Sequence, residues 1–280
     1  MEKILTDLHT HTAFSPDGKD DISAMLAGAE SRGVRYYGIS EHIDYDMQLF
    51  GETAYDTPYF TDADEYFRVA REKKREYHGR IEVLVGAEFG YTDDEEAERA
   101  YRAFIQKYRP DFVINSVHTL KGKDYHSGVP YRLADGSLRP KKEVYEEYFA
   151  LVKRGIEASF QFDIVGHVGY CTRYAPYADK SATYAEFSEA WDSVLRAVVE
   201  RGKILEVNSS NKLGVSPTLP DRDVLERYFE LSGRKVSFGS DAHFAERILD
   251  KREYVVKMLK EIGFTALTVP VCGEHKEIEL

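Results

Sequence analysis

The sequence is poor in the residues that build a disulfide framework or a membrane span. Its 280 residues include two cysteines, Cys171 and Cys272, which are far apart and form no CxxC metal-binding pair. No apolar run approaches the roughly 18–20 residues needed to cross a bilayer, and the N-terminus lacks the apolar segment of a signal peptide. These absences exclude a disulfide-rich secreted domain and a membrane protein, and they predict a cytoplasmic location.

Positive charge is also scarce. Lys and Arg number 38 against 49 Asp and Glu, which gives a formal net charge of −11 with histidine neutral. A field of this sign repels a polyanion, so the composition disfavours general binding to nucleic acid. What the chain does contain is 42% hydrophobic and 13% aromatic residues, enough to bury a sizeable core, and nine histidines.

Seven short β-rich runs alternate with seven longer stretches of helical periodicity. The predicted strands are 4–8, 36–39, 81–85, 112–114, 162–165, 204–207 and 236–238. The predicted helices are 20–32, 62–78, 94–108, 141–158, 183–201, 221–231 and 245–261. Strict alternation predicts a parallel sheet, either closed into a barrel or open and doubly wound.

The first turn after a predicted strand lacks the glycine-rich fingerprint of a nucleotide-binding sheet. It reads Asp7-Leu8-His9-Thr10-His11, which favours the barrel. No linker, composition shift or internal repeat divides the chain, so we predict a single domain over residues 1–280. The two long connections, 43–61 and 119–140, are expected to frame a substrate, because loops of this length are usually lids or binding loops.

Side chains that bind metals recur at the ends of the predicted strands. Asp7, His9 and His11 are two residues apart, so they project from one face of a strand, and two adjacent imidazoles form a chelate. Asp7 either binds a metal directly or orients a histidine. Later strands end in His42, Glu88, His118, His167, Asp241 and His243. Because the carboxyl ends of a parallel barrel share one face, these residues predict a single metal site.

Together the motifs resemble those of the polymerase and histidinol phosphatase (PHP) superfamily. The matching segments are Asp7-Leu8-His9-Thr10-His11, Glu41-His42, Gly86-Ala87-Glu88, Ser116-Val117-His118, Gly166-His167 and Gly239-Ser240-Asp241-Ala242-His243. The chain length, the Ser15-Pro16-Asp17-Gly18 segment and the long 119–140 connection are similar to those of PHP-type histidinol-phosphate phosphatases. The resemblance implies an α/β fold, a distorted (β/α)7 TIM-like barrel, with three divalent metal ions.

The resemblance also implies which residues hold each ion. The first ion would be held by His9, His11, Glu88 and Asp241. The second would share Glu88 and add His118 and His167. The third would be held by Asp17, His42 and His243, although many relatives with three metals have histidine where this chain has Asp17. Imidazole and carboxylate ligands suit Zn, Mn or Fe and do not choose among them.

A bridged pair of divalent ions lowers the pKa of bound water and aligns a hydroxide for attack on phosphorus. This chemistry needs no side-chain nucleophile, and the sequence has no G-x-S-x-G motif. The leaving alkoxide would then receive its proton from the region of Asp17, His42 and His243, and we favour Asp17 and His243 acting jointly.

Candidates for binding substrate lie outside the metal set. Arg173, in the fifth βα loop, is the first choice for a phosphate clamp, with a surface arginine as the alternative. Lys121 and Lys212 are weaker candidates. Asn208 would either bind substrate or cap the following turn. His126 would contact the imidazole or amine end of a substrate, with a solvated loop histidine as the alternative.

The sequence therefore predicts a metal-dependent phosphomonoesterase with a small-molecule substrate and neither a nucleic-acid nor a membrane partner. The resemblance implies hydrolysis of L-histidinol phosphate to L-histidinol and phosphate in histidine biosynthesis. The alternatives are a PHP phosphoesterase acting on a nucleotide or another small phosphomonoester, a polymerase-associated exonuclease, a metal-dependent amidohydrolase, and a metal-binding barrel without catalytic activity. The sequence does not indicate an oligomeric state.

Overall fold

The computed structural model describes residues 4–45, 61–211, 216–271 and 273–280. Seven parallel strands form its main sheet: β1 (Leu5–Asp7), β2 (Val34–Ile43), β3 (Glu82–Gly90), β4 (Val113–Ser116), β7 (Ile164–Val165), β8 (Ile204–Asn208) and β9 (Val236–Gly239). The antiparallel pair β5 (Thr119–Leu120) and β6 (Lys123–Asp124) lies in the loop after β4. Neighbours in the main sheet follow chain order, β1-β2-β3-β4-β7-β8-β9.

In the described part of the chain, helices follow the seven strands of this sheet. They are α1 (Ile22–Ser31), α2 (Ala63–Glu76), α3 (Glu95–Tyr108), α4 (Lys141–Ile156), α5 (Ser188–Glu200), α6 (Arg222–Glu230) and α7 (Arg252–Ile262). Four of them begin after an aspartate whose side chain accepts a first-turn N–H, which satisfies a donor that the helix leaves free: Asp21, Asp62, Asp94 and Asp221. The predicted alternation of strands and helices is confirmed.

The sheet closes where the chain beyond β1 meets β9. The N–H of Leu8 donates to the carbonyl of Phe238 over 3.1 Å, and the N–H of Asp241 donates to the carbonyl of His9 over 2.8 Å. These bonds join the first strand in the order to the last and produce a nearly closed barrel of seven parallel strands. The predicted distorted (β/α)7 barrel is therefore confirmed.

The barrel interior is apolar at one end and polar at the other. Side chains alternate along a strand, so Glu88 lies in the same inward row as Leu84, and His118 continues the row of Ile114. The apolar end is a core of Leu8, Tyr36, Leu84, Phe112, Ile114, Ile164, Ile204, Val269 and Ile278. The polar end is at the carboxyl ends of the strands, where barrel enzymes place their active sites.

Phe112 separates the two ends because two glycines leave room for its ring. A Cβ atom on Gly86 would lie 2.4 Å from the Phe112 ring, and one on Gly38 would lie 2.8 Å from it. Any larger residue at either position would push against the ring. The glycines therefore allow one aromatic side chain to fill the middle of the barrel.

An antiparallel hairpin of β10 (Ala266–Val271) and β11 (Glu274–Glu279) follows the last helix. Val269 and Ile278 belong to the interior core, so the hairpin covers the apolar end of the barrel. The sequence pattern did not predict these strands. Five of the six residues of β11 are polar or charged, and Pro270 interrupts β10, where only the edge position of the hairpin tolerates it.

The structure describes only one of the two long connections in full. Most of the 43–61 connection, residues 46–60, lies outside the described residues. The 119–140 connection carries β5, β6 and two 3₁₀ turns, Tyr125–Ser127 and Val129–Tyr131. None of the helices in the described part of the chain is long and apolar enough to span a membrane.

Candidate metal centre

All nine predicted metal ligands lie in one cluster at the carboxyl end of the barrel. Seven of them are almost completely buried, and the side chains of Asp17 and His243 are 26% and 23% exposed. The cluster is connected by contacts of 2.9–3.8 Å between imidazole nitrogens and carboxylate oxygens. Residues from 9 to 243 thus converge on one place.

Glu88 is at the centre of the cluster, and its two oxygens face different pairs of histidines. Glu88 Oε1 lies 2.9 Å from His167 Nε2 and 3.2 Å from His118 Nε2. Glu88 Oε2 lies 3.2 Å from His9 Nε2 and 3.5 Å from His11 Nε2, and it also lies 3.1 Å from His42 Nδ1. A carboxylate with one oxygen toward each histidine pair is suited to bridge two metal ions.

Within each pair, the ring nitrogens converge. His9 Nε2 and His11 Nε2 are 3.1 Å apart, and His118 Nε2 and His167 Nε2 are 3.4 Å apart. Asp241 joins the first pair, with its Oδ1 3.4 Å from His11 Nε2 and 3.8 Å from His9 Nε2. Nitrogen atoms that point at one another in this way are poised to share a cation.

A third group lies at the exposed edge of the cluster. Asp17 Oδ2 is 3.0 Å from His243 Nε2, and Asp17 Oδ1 is 3.8 Å from His42 Nε2. The ring of His11 stacks on the rings of His42 and His243, with centroid distances of 4.3 Å and 4.4 Å. This group is therefore adjacent to the first pair and nearer to solvent.

The charges of the cluster shift one another's pKa values in opposite directions. Burial lowers the pKa of His11, and the neighbouring His42 and His243 lower it further, to about 3. Burial also disfavours the charged form of His42, but Asp44 and Asp17 outweigh this effect and raise its pKa to about 10. At neutral pH His11 is therefore a neutral imidazole, the form that binds a metal.

The donor set fits divalent cations. Burial raises the pKa of Glu88, but the charges of His9, His118 and His42 outweigh it, so the pKa lies well below its ordinary value and the carboxylate is charged. Glu88 Oε2 and Asp17 Oδ1 are buried and accept no hydrogen bond, which is costly unless a cation takes their lone pairs. Mixed imidazole and carboxylate ligands suit Zn, Mn or Fe.

Asp44 is a cluster residue that sequence analysis missed. Its Oδ1 accepts a hydrogen bond from His118 Nδ1 over 3.2 Å, and its Oδ2 lies 3.3 Å from His42 Nδ1. The three side chains together could also hold a cation. The available signal was the spacing of two residues after His42. It was missed because β2 continues to Ile43, beyond the predicted end at residue 39.

Asp7 does not point into the cluster. Its two oxygens accept the backbone N–H groups of Ser240 and Leu249, each over 2.9 Å. Burial raises its pKa to about 6, although these hydrogen bonds lower it. Asp7 therefore connects β1 to the chain that follows β9, and both of its carboxylate oxygens are engaged by backbone N–H groups.

A pocket opens over the cluster. Six of the predicted ligands line it: Asp17, His42, His118, His167, Asp241 and His243. The remaining lining residues are Asp124, Tyr170, Arg173 and Tyr174. The cluster is thus open to a small molecule from one side.

Arg173 is the predicted phosphate-binding residue that lines this pocket. One terminal nitrogen, Nη2, donates to Ser210 Oγ over 2.6 Å and lies 3.5 Å from Asp241 Oδ2. Its Nε is buried and has no hydrogen-bond partner. The guanidinium is therefore fixed beside the cluster with donor capacity left over.

The other predicted substrate residues lie outside the pocket lining. Lys121 is on the surface, with its side chain 80% exposed and its Nζ 2.9 Å from Glu147. Asn208 is buried, and its Oδ1 accepts the N–H of Ser210 over 2.9 Å, which caps the turn after β8. The His126 ring lies 4.7 Å from the ring of Tyr174, at the edge of the pocket. Lys212 lies outside the described residues.

The fold and the site together define a class. A parallel α/β barrel with a buried imidazole and carboxylate cluster beneath an open pocket has the architecture of metal-dependent barrel hydrolases. The chain belongs to the PHP domain family, whose model matches residues 7–210.

Individual relatives resemble the chain over almost its full length. It is 33% identical over 244 residues to a probable histidinol-phosphatase of Clostridium acetobutylicum, covering 86% of this chain and 88% of the relative. It is 27% identical over 275 residues to the histidinol-phosphatase of Lactococcus lactis subsp. lactis, covering 95% and 94%. A crystal structure of the Lactococcus lactis histidinol phosphate phosphatase, complexed with zinc, L-histidinol and phosphate, matches with a TM-score of 0.84 at 26% identity, covering 97% and 98% of the two chains.

Proposed function

We propose that the protein hydrolyses L-histidinol phosphate to L-histidinol and inorganic phosphate, as one cytoplasmic domain over residues 1–280. The observation that carries this proposal is the metal-ligand cluster beneath an open pocket. It occurs in a chain that matches, over 97% of its length, a structure complexed with zinc, L-histidinol and phosphate. The reaction belongs to the biosynthesis of histidine.

The proposal includes three divalent ions. His9, His11, Asp241 and Glu88 would hold one, Glu88, His118 and His167 a second, and Asp17, His42 and His243 a third. Zinc is the first candidate because the Lactococcus lactis enzyme was crystallised with it, and the ligands also suit Mn and Fe. When bound, such ions activate water for attack and neutralise the charge of the phosphate.

Arg173 binds the phosphate group in this proposal. Ser210 and Asp241 hold the guanidinium beside the cluster, and its unpartnered Nε–H supplies a charge-assisted hydrogen bond to a phosphate oxygen. A fixed donor of this kind stabilises the charge that develops on the phosphoryl oxygens in the transition state.

Proton transfer to the leaving group occurs at the Asp17 and His243 edge. Hydrolysis breaks the phosphorus–oxygen ester bond, so the departing alkoxide of L-histidinol must take up a proton. Asp17 and His243 contact each other over 3.0 Å and, with His42 beside them, form the most exposed part of the cluster. A proton donor at this edge, such as a water held between these side chains or by the ion that they would bind, can reach a leaving group that points out of the pocket.

Another part of the pocket lining suits the cationic end of the substrate. Asp124 lines the pocket, and its carboxylate is not one of the nine predicted metal ligands. Its Oδ1 accepts the N–H of His126 over 2.8 Å, and its other oxygen can accept from the substrate's amine. The rings of His126 and Tyr174, 4.7 Å apart, offer an aromatic surface to the substrate's imidazole.

A panel of phosphomonoesters tests the proposal. We expect kcat/KM to be highest for L-histidinol phosphate when it is compared with nucleoside monophosphates and simple aryl phosphates on the metal-loaded protein. A higher value for a nucleotide would overturn the substrate assignment. His9→Ala and Asp241→Ala proteins that fold should lose phosphate release, and full turnover in either would overturn the ligand assignment.

A further inference from the structure

Glu206 is a carboxylate inside the barrel that none of the predicted roles includes. It lies on β8 and is 1% exposed. Its Oε1 is 2.6 Å from His9 Nδ1, and its Oε2 accepts the backbone N–H of His167 over 2.5 Å. Asn208 Nδ2 also donates to Oε1 over 3.2 Å. One carboxylate therefore accepts from three nitrogen donors.

The contact with His9 determines which ring nitrogen can bind a metal. When Nδ1–H donates to Glu206, the lone pair of the imidazole is on Nε2. That atom is the one that faces the cluster, 3.1 Å from His11 Nε2 and 3.2 Å from Glu88 Oε2. A carboxylate behind a ligating imidazole fixes its tautomer and orientation and makes it a stronger ligand.

Glu206 also contacts His167, which belongs to the histidine pair on the other side of Glu88. Glu206 holds the backbone of His167, while the His167 ring places Nε2 2.9 Å from Glu88 Oε1. Glu206 thus restrains one histidine in each of the two pairs that flank Glu88. It does not join either pair, because its oxygens face His9 Nδ1 and the His167 backbone and not the Nε2 atoms that converge in the cluster.

We propose that Glu206 is a positioning residue that keeps the first and second metal positions in register with each other. This inference rests on the proposed metal centre, and it does not depend on the identity of the substrate. Glu206 performs this role with both oxygens at once, through the His9 ring on one side and the His167 backbone on the other.

A glutamine at this position separates charge and hydrogen bonding from side-chain shape. Glu206→Gln keeps the volume but replaces one acceptor oxygen with an NH2 donor. Since both His9 Nδ1–H and His167 N–H need an acceptor, one of them must then face another donor. A carboxylate satisfies both, whereas an amide satisfies one.

The matched control is Asp163→Asn. Asp163 is also a largely buried carboxylate, and it accepts the backbone N–H of Val113 over 2.9 Å. It precedes β7 at the opposite end of the barrel from the metal cluster. The substitution therefore changes a buried carboxylate to an amide without touching a proposed ligand.

The experiment measures zinc retained per chain when zinc-loaded wild-type, Glu206→Gln and Asp163→Asn proteins are dialysed against increasing concentrations of a chelator. We expect Glu206→Gln to bind zinc about 10–100-fold more weakly and Asp163→Asn to match wild type. Equal retention by Glu206→Gln and wild type would overturn the proposal. Equal loss from the two variants would also overturn it, because the effect would then be general destabilisation.

If the Glu206→Gln chain does not fold, a measurement on the wild-type protein still tests the proposal. Nitrogen NMR of the histidine side chains in the zinc-loaded protein should show His9 protonated on Nδ1 and bound to metal through Nε2. The reverse arrangement would overturn the proposal. Suppose that Glu206→Gln retains zinc more weakly than wild type and Asp163→Asn, as expected, but the wild-type protein does not hydrolyse L-histidinol phosphate. The substrate assignment alone would then be wrong.

Discussion

A Cβ atom on Gly239 would lie 2.1 Å from Glu206 Oε1. The same atom would lie 2.6 Å from the Cβ of His9. Gly239 ends β9, directly before the ligand-bearing segment, so the missing side chain leaves the space that Glu206 and His9 occupy. The close packing of these three residues has a direct consequence for substitution.

We expect Gly239→Ala to destabilise the fold and to weaken metal binding. The added methyl group cannot fit without moving Glu206 or His9, and overpacking of this kind costs about 1–3 kcal/mol. Urea unfolding gives the free energy, and zinc content gives the metal binding. Ser237→Ala is the control on the same strand, because it removes a buried hydroxyl that has no hydrogen-bond partner and should be close to neutral. Wild-type zinc content and stability in Gly239→Ala would contradict the packing.

Arg173→Met should impair catalysis more than folding. Loss of one preorganised donor to the transition-state charge typically reduces kcat on the order of 10²–10³-fold. Steady-state kinetics with L-histidinol phosphate tests this, and Arg154→Met is the control, since Arg154 pairs with Asp93 on the surface, 2.9 Å away. A kcat in Arg173→Met equal to that of the control would remove Arg173 from the reaction.

Asp124→Asn should discriminate between substrates. We expect KM for L-histidinol phosphate to rise about tenfold, which corresponds to about 1.4 kcal/mol, because the ion pair to the amine is lost. KM for an aryl phosphate without a cationic group should be unchanged. Asp135→Asn, in the same loop but bonded to Ser137 on the surface, is the control. An equal change for both substrates would show that Asp124 does not read the amine.

Removal of metal should abolish turnover and lower thermal stability together. An ion that binds only the native state adds RT ln(1 + [L]/Kd) to the free energy of unfolding, about 4 kcal/mol at a thousand times Kd. Chelator treatment followed by separate addition of zinc, manganese and iron, with melting curves and phosphate release, also identifies the preferred metal. Full activity in excess chelator would contradict the metal centre.

The pair of Asp192 and Arg227 predicts a change of stability at acid pH. Two hydrogen bonds of 2.8 Å and 2.7 Å from Arg227 lower the pKa of Asp192 from 3.8 to about 2. A lowered carboxyl pKa stabilises the fold above the unfolded value, and this stabilisation is lost as pH falls from about 4 to 2. The difference in free energy of unfolding between wild type and Asp192→Asn should therefore shrink over that range. A constant difference would show that the pair does not couple protonation to folding.

The sequence predicted the barrel and eight of the nine clustered candidate ligands for one physical reason. Each of the eight lies at the end of a β-rich run, and a parallel barrel brings those ends together whatever the loops do. The ninth, Asp17, lies in a turn and was implied only by the family resemblance. The position of Glu206 was visible as a charged residue within an apolar strand, but its role was not. Its partners, His9 and His167, lie 197 and 39 residues away along the chain.

Other features could not be read because they depend on tertiary packing. The hairpin of β10 and β11 is held by the burial of two side chains, Val269 and Ile278, in a core formed by distant strands. Asp44 lies past the predicted end of its strand, so the pattern that located His42 did not extend to it. Lys121 is positively charged and follows the fourth predicted strand, which made it a candidate for binding phosphate. Its side chain instead pairs with Glu147 on the surface.

The closure of the barrel between β1 and β9 has a consequence for how the protein acquires its metal. Asp241, whose N–H donates to the carbonyl of His9, leaves the ribosome more than two hundred residues after His9. A nascent chain that ends before Asp241 contains His9 and His11 but lacks the aspartate of the proposed first metal position. The complete ligand set of that proposed position can therefore form only after Asp241 has been synthesised and the chain after β9 has joined the chain after β1.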